Sequence, residues 1–297
     1  MNTLLGLLII AVGSFCQSSS YVPIKKVKEW SWESFWLVQG IFAWLVFPLL
    51  GALLAVPAGS SLGEILSTDP SAAFKAAGYG VLWGVGGLTF GLSMRYLGVA
   101  LGQSIALGTC AGFGTLFPAI FAGENLFAGK GLILLLGVSI TLAGVMSACF
   151  NLGLEAGRPL QVEGGSALFR TLPATLMVTL GGFVTNAAYC LWQNARNRTF
   201  GDYGKGTLYA NNLLFCALAG ALWYSQFFGF GIGQTFFEPG SVVAAFAWCI
   251  LMALNVTFSN VWGIILREWR GASRKTVGVL VCGLAILIFS LVFPNLF

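Results

Sequence analysis

Nine apolar runs recur along the chain, at roughly 3–22, 35–56, 72–94, 97–121, 131–150, 171–192, 212–237, 241–266 and 277–296. Each is close to the ~20 residues that a helix needs to cross the hydrocarbon of a bilayer. Polar residues sit between the runs or singly inside them, and the intervals are short. The pattern predicts an all-α, polytopic membrane helix bundle forming one domain over 1–297. The first run has no basic residue ahead of it, since Met1 is followed by Asn2 and Thr3. It is also too long for the apolar core of a secretory signal, so it reads as a first transmembrane helix.

Composition excludes the soluble alternative. Hydrophobic residues make up 57% and charged residues 8%, whereas a soluble domain carries about a quarter charged residues. The seven cysteines all fall within or at the ends of apolar runs, no CxxC pair occurs, and the chain has no histidine. No metal site or cofactor is predicted, and the cysteines read as small packing residues.

Basic residues are unevenly placed. Lys25, Lys26 and Lys28 follow the first run; Arg196, Arg198 and Lys205 follow the sixth; Arg267, Arg270, Arg274 and Lys275 precede the last. Positively charged loops stay cytoplasmic, so these three clusters should share one side of the membrane. This asymmetry accounts for the net charge of +5 without a nucleic-acid partner. Trp30, Trp32 and Trp36 beside the first cluster suit the headgroup layer. Five runs separate Lys28 from Arg196, an odd number, although two loops on one side need an even number of crossings. One run therefore conceals two passes or none, and 131–150 is the suspect.

Small residues spaced by four, Gly80/Gly84, Gly87/Gly91, Gly98/Gly102 and Gly108/Gly112, favour close helix contacts. GVLWGVGGLTFG (80–91) also echoes GALWYSQFFGFG (220–231), with Gly80/Gly220, Leu82/Leu222, Trp83/Trp223, Phe90/Phe230 and Gly91/Gly231 identical. Coincidence and duplication both account for the echo; a duplicated bundle would hold a substrate near the midplane, between its halves.

Polar groups at membrane depth sharpen the functional expectation. Gln17, Tyr21, Thr89, Gln103, Ser104, Asn151, Asn186, Tyr224, Ser225, Gln226 and Asn255 lie in or beside apolar runs, with Trp83 and Trp223 among them. An unpaired amide or hydroxyl in hydrocarbon costs several kcal/mol, so these groups face one another or a wet cavity. Singly each reads as an interhelical hydrogen bond. Together, amides and indoles are what a site for a hydroxyl-rich molecule uses, since amides bond hydroxyls and aromatic faces cover C–H surface. Gln17, Tyr21, Trp83, Thr89, Gln103, Asn151, Asn186, Trp223, Tyr224 and Gln226 are the substrate-binding candidates. Glu155 has two readings: a carboxylate beside a cavity that takes up and releases a coupled proton, or an interfacial glutamate paired with Arg158 or Arg170. Arg95 closes its run either as a snorkelling, orienting residue or as a substrate contact. No nucleophile–base pair stands out, so no enzyme is expected.

YVPIKKVKEWSWE (21–33), LWGVGGLTFGLSMRYLG (82–98), SACFNLGLEAGRP (147–159), ALWYSQFFGFGIGQ (221–234) and VWGIILREW (261–269) resemble the L-rhamnose–proton symporter family of the drug/metabolite transporter superfamily. The resemblance extends over nearly the whole chain. It implies ten helices in two inverted five-helix repeats, about 1–144 and 145–297 here, and import of a deoxyhexose or related sugar with a proton. It also implies a multi-pass protein of a bacterial inner membrane, with lipid, sugar and protons as partners. The chain departs from the family pattern at KGLILLLGVSITLAG–VMSACFNLGLEAG (130–157), where helices five and six look fused by a deletion. It also departs where Glu155 replaces an amide-type residue, and at AAFAWCILMALN (244–255), where the family has a histidine. An exporter or exchanger of the same fold, or a transport-deficient homologue, are the alternatives these departures leave.

Overall fold

The computed structural model describes residues 2–121, 142–161, 169–204, 206–238, 241–270, 273, 277, 278, 281, 282 and 285, and every regular element among them is helical. In chain order these are α1 Thr3–Ser19, α2 Tyr21–Ile24, α3 Trp32–Ile41, a π-helix Phe42–Val46, α4 Phe47–Ala55, α5 Leu62–Thr68, α6 Pro70–Phe121, α7 Leu142–Ala156, α8 Leu172–Asn197, α9 Gly206–Gln234 and α10 Val242–Ile265. Helix starts carry the side chains that satisfy free backbone N–H groups. Asn2 Oδ1 accepts from Leu5 N, Asp69 Oδ1 accepts from Ala72 N, and Ser241 Oγ accepts from Ala244 N. Ser61 and Glu64 form a reciprocal capping box on α5.

The bundle is amphipathic the wrong way round for water. On α1, Leu4, Leu8, Val12 and Phe15 are exposed, while Ser14, Gln17 and Ser18 are at most 1% exposed. On α4, Leu49, Leu50, Leu53 and Leu54 face outward and Gly51 and Ala52 face in. Only a hydrocarbon surround makes this arrangement favourable. Thr3–Ile24, Trp32–Ala55, Leu172–Asn197 and Leu208–Gln234 are each long and apolar enough to cross a membrane. The chain is a multi-pass membrane protein.

The three basic loops meet at one end, as the charges predict. Lys25 Nζ lies 2.9 Å from Glu268 Oε1. Asn212 and Lys28 exchange two bonds, and Ser31 N donates to Asp202 Oδ2 at 2.8 Å. The α6 break is also at this basic end. Gly98 adopts φ 83°, ψ 176°, which a residue with a Cβ rarely takes, and the chain turns back on itself so that Gly102 packs against the backbone of Met94. Glu268 Oε2 accepts from Ala100 N just past the turn. Gly98 and Gly102 thus form a hairpin rather than a face for a third helix. Gly80 and Gly181 do provide close approach, each lying against backbone of the opposing helix, Val178 and Ala77 respectively.

These contacts give each segment a direction. The span 32–55 leaves the basic end, 70–97 returns, the arm after Gly98 leaves again, and α8 returns to place Asn197 beside Glu33. Those are four passes traced among the described residues. α7 finishes at the far end, where Gly157 meets Ala174 and Leu160 packs on Ala72 and Ala73. The questioned run 131–150 is seen only from Leu142 onward; 122–141, and most of the last run, 277–296, lie outside the described residues.

Trp30, Trp32 and Trp36 correct the expectation of a headgroup belt: they are 9%, 6% and 3% exposed and belong to the core. Their surroundings explain it. Trp32 and Trp36 stack at 5.3 Å, and Arg95 lies over the Trp32 ring at 5.6 Å.

Candidate functional site

α1, α3, the π-helix, α6, α7, α9 and α10 line a cavity of ≈ 80 Å³ between them. One water needs about 10–15 Å³ on the same scale, so the space admits a small polar ring. Five indoles (Trp36, Trp44, Trp83, Trp223 and Trp248) line it with Phe90, Phe150 and Phe227, and the amides Gln17, Gln39 and Gln226 interrupt the aromatic wall. The rings brace one another. Trp83 and Trp223, the tryptophans of the internal echo, approach to 6.0 Å, and Phe150 stacks on Phe227 at 5.2 Å and on Trp248 at 5.8 Å.

Of the candidates named from sequence, Gln17, Trp83, Trp223 and Gln226 reach this cavity. Asn186 stands behind it: Asn186 Oδ1 accepts from Trp36 Nε1 at 3.0 Å, while its amide donates to the carbonyls of Gly84 and Gly182. Gln103 is fully buried but accepts from Ser259 Oγ on α10, and Thr89 bonds back to Gly86 O within its own helix. Tyr21 packs in the core at the basic end, and Tyr224 packs against Phe227 and Phe228. Asn151 is half-buried on α7 beside Phe150. None of these six is part of the cavity wall. Ser14, Ser18 and Ser19 serve helix pairing: Ser14 and Ser18 donate to α10 carbonyls, and Ser19 Oγ accepts from Trp262 Nε1.

Glu155 lies away from the cavity. It sits at the far end with 59% of its side chain exposed, 2.7 Å from Arg158 Nε, so the ion pair weighed from sequence is the arrangement found. Three residues separate two charged side chains on an exposed helix end, a spacing that brings them together without help from the rest of the fold. Arg95 likewise stays at the basic end, over Trp32 and Tyr96.

Two polar groups matter that sequence reasoning passed over. Gln39 and Trp44 line the cavity, and Gln39 Oε1 and Trp44 Nε1 are buried without a hydrogen-bond partner among the described residues. Pro48, inside the run 35–56, was the available signal, because a proline there disturbs the helix one turn earlier.

A polar clasp ties the start of α3 to the end of α8 at the basic end. Glu33, 2% exposed, accepts from Asn197 Nδ2 at 2.8 Å and Thr199 Oγ1 at 3.1 Å. Ser34 donates to Asn194 and Asp202. On the opposite flank, burial pushes the Glu268 carboxyl up. The N–H of Ala100, the Lys25 ammonium and the N–H of Val99 outweigh burial and hold it below the ordinary carboxylate value.

An inverted, apolar-surfaced bundle around one aromatic and amide-lined central cavity defines a membrane carrier for a small polar solute rather than an enzyme. Comparison with known proteins agrees. The model of the family L-rhamnose-proton symport protein (RhaT) matches residues 1–154 and again 122–294, and the chain belongs to this family of transporters. It is 28% identical to the L-rhamnose-proton symporters of Yersinia pestis (strain Pestoides F) and Yersinia pseudotuberculosis (serotype O:1b, strain IP 31758), over 97% of this chain and 96% of theirs. To that of Enterobacter sp. (strain 638) it is 27% identical, over 94% of this chain and 93% of the relative. The Yersinia alignments run over 339 positions, more than the 297 residues of this chain, so those relatives carry residues that it lacks. No solved structure matches.

Proposed function

We propose that the protein imports a sugar, L-rhamnose or a related deoxyhexose, together with a proton across a bacterial inner membrane, with the basic end in the cytoplasm. The observation that carries this reading is the cavity wall: five indoles and three amides around one shared space. Indole faces cover the C–H surface and the methyl group of a deoxy sugar, and amides exchange hydrogen bonds with its hydroxyls. The names of the relatives support the same solute class. The meeting of Trp83 and Trp223 across the cavity supports two repeats, about 1–144 and 145–297, that rock around the site. The overlap of the two family matches at 122–154 supports a shortened join between them.

The coupled proton needs a carboxylate in a chain without histidine, and Glu33 suits that role better than the exposed Glu155. It is three residues from Trp36 on the same helix face, and its partners Asn197 and Thr199 come from the end of α8. Arg95 and Cys190 also face it. Protonation removes the charge those donors stabilise and favours opening of the basic end, which links proton binding to release of the sugar inward. Proteoliposomes given an inward proton gradient test this. L-rhamnose is expected to accumulate while the external medium turns alkaline, and Glu33→Gln is expected to retain exchange but lose accumulation. Uptake indifferent to the gradient rejects the coupling, and no uptake of any sugar rejects the carrier.

A further inference from the structure

The span 32–55 is interrupted by the π-helix Phe42–Val46, and its side chains have a consequence for the cavity. In a continuous α-helix, eight residues place position 44 about 80° away from position 36. The wider π turn reduces that angle and swings Trp44 back toward the stripe that already carries Trp36 and Gln39. Pro48 has no N–H with which to bond the carbonyl of Trp44, so the regular ladder is lost at this turn anyway. Gly40 completes the arrangement: a Cβ there would fall 2.7 Å from the Trp44 ring, so only glycine lets the indole lie over its own helix at this place. Single π turns of this kind often mark functional sites.

Gln39 and Trp44 are 3% and 2% exposed, and the Gln39 carbonyl oxygen and the Trp44 N–H have no partner among the described residues. Both side chains line the cavity. Three other polar side chains on the wall are already engaged. Trp36 donates to Asn186, Gln226 donates to Trp223 O and accepts from Asn255, and Gln17 accepts from Ser18. Among the described residues nine buried side-chain polar atoms lack a partner, and of these only Gln39 Oε1 and Trp44 Nε1 belong to residues of the cavity wall; each bond left unmade is costly. A ligand offering both a donor and an acceptor removes that cost.

We infer that Gln39 and Trp44 form the hydroxyl-reading pair of the carrier. The Gln39 carbonyl accepts from one ligand hydroxyl, and the Trp44 N–H donates to the oxygen of a second. The π turn brings both residues onto the wall that faces the solute. This rests on the sugar-carrier reading above and assigns the residues that select for hydroxyls within it.

The test measures L-rhamnose binding by calorimetry on purified protein, with Gln39→Leu, Trp44→Phe and a set of monodeoxy L-rhamnose analogues. Each variant is expected to bind L-rhamnose about ten-fold more weakly, the loss of one hydrogen bond. One monodeoxy analogue should bind Gln39→Leu and wild type equally, because the hydroxyl that Gln39 reads is already missing. Without ligand, Gln39→Leu is expected to melt no lower than wild type, since a buried unpaired amide is replaced by an apolar group of similar size. If wild type binds L-rhamnose and both variants bind it as tightly, the pair is wrong and the carrier reading stands. If Gln39→Leu melts lower and all analogues lose affinity alike, the amide is structural and the inference falls. If wild type binds no sugar in the set, both readings fall together.

Discussion

Asn186 offers the sharpest test of how the cavity wall is held. Its Oδ1 receives the Trp36 N–H at 3.0 Å, and its amide reaches the carbonyls of Gly84 and Gly182 at 2.9 Å each. Both side chains of the pair are almost wholly buried, at 2% and 3% exposure. Asn186→Leu leaves the indole N–H with no partner in an apolar place, which costs about 1–3 kcal/mol. The lost bond to Gly84 crosses between helices and adds about 0.6 kcal/mol, while the glycine carbonyls still serve their own helices. Burial of the leucine returns part of this, so a net loss of about 2 kcal/mol is expected. Trp36→Phe removes the N–H itself. In that background Asn186→Leu should cost only the ~0.6 kcal/mol interhelical share, giving a coupling of at least about 1 kcal/mol. Denaturant titration in mixed micelles of the two single variants and the double variant measures it. Costs that add to within about 0.5 kcal/mol would refute the bond and, with it, the account of how Trp36 is set in the wall.

Four further outcomes follow from the same contacts. Gly80→Ala is expected to destabilise by about 1–3 kcal/mol, because its Cβ would collide with the backbone of Val178, whereas Gly78→Ala, which meets open space, should be neutral; equal melting temperatures for the two would contradict the packing. Glu268 has its carboxyl depressed in the folded protein, so its contribution is present above the unfolded-state pKa and is lost as pH falls through the lower folded value. A melting-temperature profile across the acid range should therefore flatten in Glu268→Gln, and an unchanged profile counts against the Lys25–Glu268–Ala100 junction. Glu155→Gln should leave proton-driven uptake unchanged, since its partner is the exposed Arg158; loss of coupling would return the proton to Glu155. In a background freed of the native cysteines, Lys26→Cys and Arg198→Cys should be labelled from the same side of the membrane, and labelling from opposite sides would break the shared basic end.

Much of the bundle was legible before any coordinates. Run length and the scarcity of charge determined a polytopic helical membrane protein, because those properties depend on the bilayer rather than on which helix touches which. Charge placement determined that the loops after the first, sixth and eighth runs share an end, and Lys25–Glu268 and Lys28–Asn212 meet there. The i, i+3 spacing of Glu155 and Arg158 already contained their pairing.

What tertiary structure decided is which polar residues face the cavity. Thr89 and Gln17 look alike in sequence, each a polar residue in an apolar run, yet Thr89 bonds Gly86 O and Gln17 reaches the central space. The difference is rotational, and a helix in lipid can bury any face that finds a partner. Gln39 and Trp44 needed more still, since a π turn moves them onto one stripe. That turn is a backbone event, set by packing around Gly40 and Pro48, and hydrophobic periodicity carries no record of it.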